Sequence, residues 1–173
     1  MTTSVPRTGV LFVCLGNICR SPLAEGIFLH LARERGVQGQ FDVDSCGTGA
    51  WHVGQGADPR SVAVALRHGV RLEHEARQLD PRSDFDRFHL VIAMDRSNRR
   101  SIIHAAEAHS KDSSGVRMMR SFGLPAKDVD ATDVDVPDPY SGGDEGFQVV
   151  YDMLRVSCAG LLTHLLDRGP TLR

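Results

Sequence analysis

Features that mark several other protein classes are scarce in this sequence. Four cysteines in 173 residues are too few for the disulfide scaffold of a small secreted domain. The apolar stretch at residues 9–14 is far too short to span a bilayer, and no signal-peptide core of the usual length precedes it. The formal net charge is −2 with no long run of one sign, so the basic footprint of a nucleic-acid-binding protein is missing. We therefore expect a cytoplasmic protein that binds no nucleic acid and does not insert into a membrane.

Clustered metal ligands are also missing from the sequence. The eight histidines are scattered, and His104 and His109 are spaced so that they do not share one face of a helix. The sequence therefore predicts no metal site and no cofactor. Hydrophobic residues make up 41% of the chain and charged residues 24%, which is ordinary for a globular protein. We expect a single domain over residues 1–173 with flexible ends at residues 1–8 and 168–173. The oligomeric state is left open.

Apolar segments and turn residues alternate in an order that predicts an α/β fold. Short, continuously apolar segments are typical of strands buried on both faces of a parallel sheet, and longer amphipathic segments are typical of helices. The predicted strands are residues 9–14, 41–45, 88–95 and 115–119, and the predicted helices are residues 21–36, about 59–68, a segment from 96 and residues 144–167. This alternation favours a doubly wound parallel sheet with helices on both faces. Such sheets bind ligands beyond the carboxyl ends of their strands.

The first helix carries recognisable start and stop residues. Ser21 is predicted to cap its beginning, Pro22 suits its first turn, and Gly36 is predicted to end it. The segment VCLGNICRSP therefore connects the first strand to the start of this helix. It lies at the edge of the sheet where ligands bind.

This connecting segment has the residue types of a phosphate-binding loop. Backbone N–H groups of a loop that enters a helix can point into one hollow, and the helix dipole adds partial positive charge there. Gly16 lets the backbone curl, and Asn17 tolerates a left-handed conformation. Arg20 has a planar guanidinium that can bind two phosphate oxygens. The predicted phosphate-binding residues are Leu15, Gly16, Asn17, Ile18, Cys19, Arg20 and Ser21.

Cys14 turns this binding loop into a candidate catalytic loop. The pKa of a free thiol is ~8.5, and a helix N-terminus with a nearby arginine can lower it by several units. We therefore expect Cys14 to be a thiolate that attacks phosphorus, with Ser21 donating a hydrogen bond to the sulfur. The expected chemistry is two in-line displacements through a phosphocysteine that water hydrolyses. The competing interpretation is a core cysteine at a strand end, which the surrounding Gly16, Asn17 and Arg20 disfavour.

Two distant motifs together resemble those of a known family. VCLGNICRSP matches the Cys-x5-Arg-Ser-Pro loop of the low-molecular-weight protein tyrosine phosphatases, and PDPY at residues 137–140 matches their acid motif. SCGTGAWHVG, HEARQL and VIAMDRSN stand where related segments are expected, so the resemblance spans roughly residues 9–165. It implies a four-stranded parallel sheet flanked by helices. It also implies a hydrolase whose partner is a phosphotyrosine-containing protein.

The resemblance assigns a role to each matched position. Cys14 is the implied nucleophile, Arg20 the phosphate clamp and Asp138 the general acid. Asp138 is favoured over its upstream carboxylates because Pro139 fixes the adjacent backbone and Tyr140 supplies an aromatic wall; those carboxylates are Asp130, Asp133 and Asp135. The implied supporting residues are Asn17, Ser21, Ser45 and His74. The implied pocket walls are Trp51, the only tryptophan, and Tyr140.

The other cysteines receive separate interpretations. The resemblance favours a redox-regulatory role for Cys19, through a reversible disulfide with Cys14; the alternative is packing on the first turn of the helix. Cys46 replaces an alanine common in the family and is predicted to pack. Cys158 is predicted to lie in the core.

The chain departs from the family pattern at two places. Many members have a second aromatic residue after the tyrosine, where this chain has Ser141, so one wall of the pocket is weaker. The acid-rich segment Asp128–Asp135 can change what docks near the site. Both departures bear on substrate preference.

Three alternative functions compete with phosphotyrosine hydrolysis. A protein-arginine phosphatase on the same scaffold tends to have threonine where this chain has Ile18. A thiol-dependent arsenate reductase needs further cysteines on a flexible segment, and residues 70–88 contain none. A non-catalytic phosphotyrosine-binding module is disfavoured because Cys14 and Asp138 are both present.

Overall fold

Four parallel strands form the central sheet of the described part of the chain. A computed structural model describes residues 6–125 and 134–168. The strands are β1 (Thr8–Cys14), β2 (Phe41–Gly47), β3 (Leu90–Ala93) and β4 (Val116–Met118). Their order is β2-β1-β3-β4, and each neighbouring pair is parallel. The predicted doubly wound α/β fold is confirmed, and each strand overlaps the segment predicted for it.

Helices cover both faces of this sheet. They are α1 (Arg20–Glu34), α2 (Pro59–Arg67), α3 (Asp84–Arg87), α4 (Arg96–Ala108) and α5 (Asp144–Arg168). Helices α1 and α5 pack together on one face, and α4 packs against β3 and β4 on the other. The sequence did not predict the single turn α3 or the two short 3₁₀ turns, Gln38–Gln40 and Met119–Phe122.

The residues of β1 alternate between the two cores. Val10 and Phe12 belong to the core beneath α1 and α5, together with Cys14. Leu11 and Val13 belong to the smaller core beneath α4. Successive strand residues point to opposite faces, so a strand covered on both faces must be apolar throughout. This explains the uninterrupted apolar segment that ends at Cys14.

The beginning of α1 differs from the prediction. The helix begins at Arg20, its N-cap is Cys19, and no side chain caps it. Ser21 is therefore not the cap: it lies inside the first turn, and its Oγ is 3.0 Å from Cys14 Sγ. The predicted end is confirmed, because Gly36 follows the C-cap Arg35 with φ +68°, a conformation that glycine adopts without steric cost.

Helix α5 is long and apolar enough to cross a membrane by length and composition alone. Most of its large apolar residues are instead packed in the core against α1 and α2. Cys158 is fully buried there, as predicted. The expected flexible ends fall mostly outside the described residues, although Thr8 begins β1 and Arg168 ends α5. Asp128, Asp130 and Asp133 also lie outside the described residues.

The strand order places one crevice at the carboxyl edge of the sheet. The chain leaves β1 for β2 on one side and later returns to place β3 on the other side. The connections that leave β1 and β3 therefore run in opposite directions along the sheet. Doubly wound sheets bind ligands in the crevice between two such strand ends. Cys14 is the last residue of β1, and Asp95 follows β3 closely.

Candidate active site

Asn17 lies at the centre of the loop that joins β1 to α1. Its φ of +57° is left-handed, a conformation that asparagine tolerates better than most residues. Its side chain is fully buried and donates to Ser21 Oγ (2.9 Å) and Ser45 Oγ (3.0 Å). Its Oδ1 accepts the backbone N–H of Arg77 (2.9 Å). One side chain thus ties the loop to α1, to β2 and to the segment after α2.

Cys14 receives polar contacts from within the same loop. Its Sγ is 3.0 Å from Ser21 Oγ and accepts a hydrogen bond from the backbone N–H of Asn17 at 3.3 Å. Because Ser21 Oγ already accepts from the Asn17 amide, the Ser21 proton is available to the sulfur or to the Cys46 carbonyl (3.3 Å). Two hydrogen-bonding groups of the loop therefore face the Cys14 sulfur.

A second group of polar residues supports the loop from outside. Ser45 Oγ donates to Glu25 Oε2 at 2.6 Å, and His74 Nε2 lies 2.6 Å from the Asn17 carbonyl oxygen. A carbonyl only accepts, so His74 must donate from Nε2. Burial lowers the pKa of His74 and raises the pKa of Glu25 to about 7, although the Ser45 hydroxyl opposes the latter shift. Glu25 was not predicted from the sequence, because its partner Ser45 lies on another element.

Arg20 joins the loop to the far side of the crevice. Its side chain is 3% exposed, and Nη1 donates to Asp95 Oδ2 at 2.6 Å and to the Val136 carbonyl at 3.0 Å. Its Nη2 donates to Asp138 Oδ2 at 3.3 Å. Asp95 also caps α4 by accepting the N–H of Asn98 at 2.7 Å. Sequence reasoning missed Asp95, although its place directly after β3 at the carboxyl edge was a usable signal.

Asp138 lies on the segment that crosses this crevice. The Val136 N–H donates to the Met94 carbonyl at 2.8 Å, which fixes the segment to the end of β3. Asp138 Oδ1 accepts the N–H of Tyr140 at 3.1 Å, while the side chain remains 45% exposed. Asp135 instead pairs with Arg96 at 3.2 Å. Of the two aspartates, only Asp138 contacts Arg20 and lines the cavity described next.

A small cavity brings the predicted catalytic residues together. Its volume is about 150 Å³, and it is lined by Cys14, Leu15, Gly16, Ile18, Cys19, Arg20, Trp51, His52, Asp138 and Tyr140. Trp51 and Tyr140 stand at its mouth with 71% and 51% of their surfaces exposed. His52, which had no predicted role, lies 6.2 Å from the Tyr140 ring, centroid to centroid. A Cβ at position 16 would come within 2.9 Å of the His52 ring, so Gly16 permits this close approach.

A larger cavity lies elsewhere on the molecule. Its volume is about 730 Å³, and His89 and Arg117 are among the residues that line it, near the amino ends of β3 and β4. It contains none of the predicted site residues. Ser45 and His74 stand behind the phosphate loop rather than in either cavity.

The cysteines other than Cys14 are poorly suited to ionise. Burial, reinforced by Asp58, raises the pKa of Cys19 to about 12. Burial likewise raises the pKa of Cys46 and Cys158. All four cysteines are free thiols, so the disulfide between Cys14 and Cys19 stays a prediction. Over residues 6–125 and 134–168, no three His, Cys, Asp or Glu side chains are grouped to hold a metal ion.

Comparison with known proteins gives a consistent result. The family model described as low molecular weight phosphotyrosine protein phosphatase matches residues 9–169. A low molecular weight protein-tyrosine-phosphatase of Streptomyces coelicolor is 45% identical over 159 residues, which cover 92% of this chain and 94% of that protein. The crystal structure of YfkJ from Bacillus subtilis has a TM-score of 0.82 at 35% identity, covering 94% of this chain and 96% of that one.

The structure of an arginine phosphatase is also similar. The crystal structure of DARP, a Drosophila arginine phosphatase, has a TM-score of 0.80 at 33% identity, covering 90% of this chain and 96% of that chain. The fold alone therefore does not separate phosphotyrosine from phosphoarginine as substrate. The family, however, is shown by the match over nearly the whole chain. This chain belongs to the low-molecular-weight protein tyrosine phosphatases and is an enzyme of that family.

Proposed function

We propose that this phosphatase hydrolyses protein phosphotyrosine with Cys14 as nucleophile, Arg20 as phosphate clamp and Asp138 as general acid. The observation that carries this proposal is their convergence in one cavity of about 150 Å³. Arg20 and Asp138 are 118 positions apart in sequence, yet they are in contact at 3.3 Å. Two independent motifs therefore meet where the chemistry requires them.

The first step transfers the phosphoryl group to sulfur. Loop N–H groups and the Arg20 guanidinium hold the phosphate oxygens, and the Cys14 thiolate attacks phosphorus. The P–S bond forms while the P–O bond to the phenol breaks. Asp138 gives its proton to the departing oxygen. A phenol has a pKa of ~10, so this protonation should accelerate the step by roughly 10²–10⁴-fold.

The second step returns the enzyme to its starting state. Water attacks the phosphocysteine, and the Asp138 carboxylate, now ionised, takes the proton from that water. The P–S bond breaks, inorganic phosphate leaves, and the Cys14 thiolate is regenerated. Ser21 Oγ, 3.0 Å from the sulfur, donates to it as the negative charge returns.

The walls of the cavity favour an aromatic phosphate ester. Trp51 and Tyr140 flank the mouth, where they can contact the ring of phosphotyrosine. Ser141 is exposed beside Tyr140 and leaves that side of the mouth open. Ile18, where an arginine phosphatase tends to have threonine, lines the cavity. These contacts favour phosphotyrosine over phosphoarginine.

The reductase alternative lacks accessible thiols outside the phosphate loop. Apart from Cys14 and Cys19, the chain has Cys46 and Cys158, and both are fully buried with a raised pKa. Resolution of an adduct on Cys14 would need an accessible thiolate. The reliance on an unoxidised Cys14 also supports a reducing compartment, and we place the enzyme in the cytoplasm on that ground.

The substrate assignment is tested by comparing two phosphopeptides of the same sequence. We expect phosphate release from the phosphotyrosine peptide to exceed release from the phosphoarginine peptide at equal concentration. A Cys14→Ser variant should release phosphate from neither. A preference for phosphoarginine would overturn the substrate but keep the nucleophile, whereas activity in the Cys14→Ser variant would overturn the mechanism.

A further inference from the structure

Arg60, in the first turn of α2, connects three elements around the site. Its Nη1 donates to the Gly142 carbonyl at 2.9 Å, and its Nη2 donates to the Tyr140 carbonyl at 3.1 Å. Its guanidinium carbon lies 4.4 Å from the centroid of the Phe147 ring, in the first turns of α5. It also lies 5.9 Å from the Tyr140 ring centroid. The two carbonyls belong to residues 138–142, the acid loop, which carries Asp138.

Asp58 fixes the guanidinium from the opposite side. Arg60 Nε donates to Asp58 Oδ1 at 3.0 Å and Nη2 donates to Oδ2 at 2.9 Å, a two-point arrangement that holds the planar group in one orientation. The Asp58 side chain is 8% exposed and also accepts the Arg60 backbone N–H. Hydrogen bonding from Arg60 lowers the pKa of Asp58, so the pair stays charged at neutral pH.

The start of α2 also contacts the phosphate loop. The backbone N–H of Asp58 donates to the carbonyl of Ile18 at 2.7 Å, and Ser61 Oγ donates to the carbonyl of Cys19 at 3.3 Å. The start of α2 is therefore bonded to the phosphate loop through the backbone of Asp58 and the side chain of Ser61. It is bonded to the acid loop through the guanidinium of Arg60. No other described side chain donates to the carbonyls of Tyr140 and Gly142.

We propose that Arg60 is a positioning residue that holds the acid loop at the height above the phosphate loop where Asp138 reaches the leaving oxygen. Arg60 does not line the cavity, so it acts through the loop and not on the substrate. The proposal rests on the proposed role of Asp138 as general acid. It explains why a cation is placed against two backbone carbonyls of an exposed loop.

The arrangement requires arginine in particular. The guanidinium donates hydrogen bonds to two carboxylate oxygens and two backbone carbonyls at once, and its face packs on the Phe147 ring. A lysine ammonium has three donors on a single atom and no flat face, so it cannot make all of these contacts. Displacement of Asp138 by about 1 Å is enough to weaken proton transfer strongly.

The test compares aryl phosphates whose phenols differ in acidity. An ester of a very acidic phenol needs little help from a general acid, whereas phenyl phosphate needs it fully. We expect Arg60→Met to lower kcat/KM for phenyl phosphate roughly 10- to 100-fold, and to lower it less than about threefold for dinitrophenyl phosphate. Arg60→Lys should also lower kcat/KM more for phenyl phosphate than for dinitrophenyl phosphate, but both losses should be smaller than in Arg60→Met. The inhibition constant of inorganic phosphate should stay within about twofold, since the phosphate loop itself is retained.

Two controls separate positioning from general support of the fold. Arg67→Met changes an arginine at the other end of α2, which contacts Gln148, and should leave both esters unaffected. In an Asp138→Ala background, Arg60→Met should cause almost no further loss, because residues that act as one unit are not additive. Equal losses for both esters, or full additivity with Asp138→Ala, would overturn the proposal. An inactive wild type would instead overturn the proposed function.

Discussion

Asp138 and Asp135 are neighbouring carboxylates with different surroundings. Asp138 contacts Arg20 and lines the cavity with Cys14, whereas Asp135 is paired with Arg96 at the start of α4. We expect Asp138→Ala to lower kcat/KM for phenyl phosphate by roughly 10²–10³-fold, because the leaving phenolate loses its proton donor. Steady-state hydrolysis measures this loss, and competition by inorganic phosphate should change less than about twofold.

Asp135→Asn is the matched control for that substitution. It should keep kcat/KM within about twofold, because its carboxylate lies outside the cavity of Cys14. If Asp135→Asn lost as much activity as Asp138→Ala, the assignment of the acid would be wrong. If neither lost activity, the leaving group would depart without general-acid help.

The ionisation of Glu25 makes the stability of the folded protein depend on pH. Burial raises its pKa from 4.5 to about 7, so between these values the folded protein binds more protons at this site than the unfolded chain does. Stability from this group is complete below pH ~4.5 and is lost as the pH rises through about 7. The loss is at most about 3.4 kcal/mol, because each unit by which the pKa rises corresponds to about 1.36 kcal/mol.

Glu25→Gln removes this titration while keeping a neutral side chain of the same shape. We expect the free energy of unfolding of the variant to equal that of the wild type near pH 4.5 and to exceed it above pH 7. Urea unfolding of both proteins at several pH values measures the difference. Curves that stay parallel from pH 4.5 to 8 would contradict the assignment of a neutral Glu25.

Local spacing predicted the residues of the phosphate loop, the family resemblance supplied the distant Ser45, His74 and Asp138, and two further residues that act across elements were missed. Cys14, Asn17 and Arg20 occupy one short loop, where spacing alone suggests that they share an anion. Asp95 contacts Arg20 from 75 positions away, and Arg60 contacts Tyr140 from 80 positions away. An aspartate at a helix start is common for local reasons, so only the place of Asp95 just after β3 could have pointed to it. Nothing in the sequence distinguishes Arg60 from other helical arginines.

At the scale of elements, periodicity predicted the strands and helices, but the preference of serine for N-caps led to a wrong predicted start for α1. A serine before a proline and an apolar stripe is the usual sign of an N-cap. Here the Ser21 hydroxyl lies between Cys14 Sγ and the Asn17 amide, and the helix begins one residue earlier, at Arg20. The Ser21 hydroxyl therefore contacts the Cys14 sulfur and the Asn17 amide and does not cap the helix.

Gly160 sets how closely α5 approaches the 3₁₀ turn Met119–Phe122. A Cβ at this position would lie 1.9 Å from the Phe122 carbonyl oxygen, so the two backbones meet directly. Glycine costs a helix about 1 kcal/mol relative to alanine. Gly160→Ala would therefore stabilise a helix that had free space at this position. We expect the clash to prevail and to destabilise the protein by about 2 kcal/mol. Calorimetry should then show a melting temperature lower by roughly 4–8 °C.

Gly39→Ala is the control for that prediction. No atom lies within 4 Å of a Cβ built on Gly39, and its φ is not in the left-handed region. Its melting temperature should stay within about 2 °C of the wild type, since surface changes of this kind shift stability by about 0.5 kcal/mol or less. A stabilised Gly160→Ala variant would mean that α5 moves away from the turn without cost.

At the scale of the whole molecule, the strand order explains why the site forms where it does. Order β2-β1-β3-β4 brings the end of β1, with Cys14, beside the end of β3, with Asp95. The segment that crosses this edge supplies Asp138, and the start of α2 lies against both loops. The site therefore needs the complete sheet, and an unfolded chain cannot assemble it.

Phosphate should consequently stabilise the folded protein through linkage. Inorganic phosphate at 100 times its dissociation constant adds ~2.7 kcal/mol, which raises the melting temperature by roughly 5–10 °C for a chain of this size. Arg20→Met should abolish most of this rise, because the buried guanidinium is the main cation facing the cavity, while Asp138→Ala should keep it. If Arg20→Met kept the full rise, phosphate would be binding elsewhere, and the larger cavity beside Arg117 would be the place to examine by substituting that arginine.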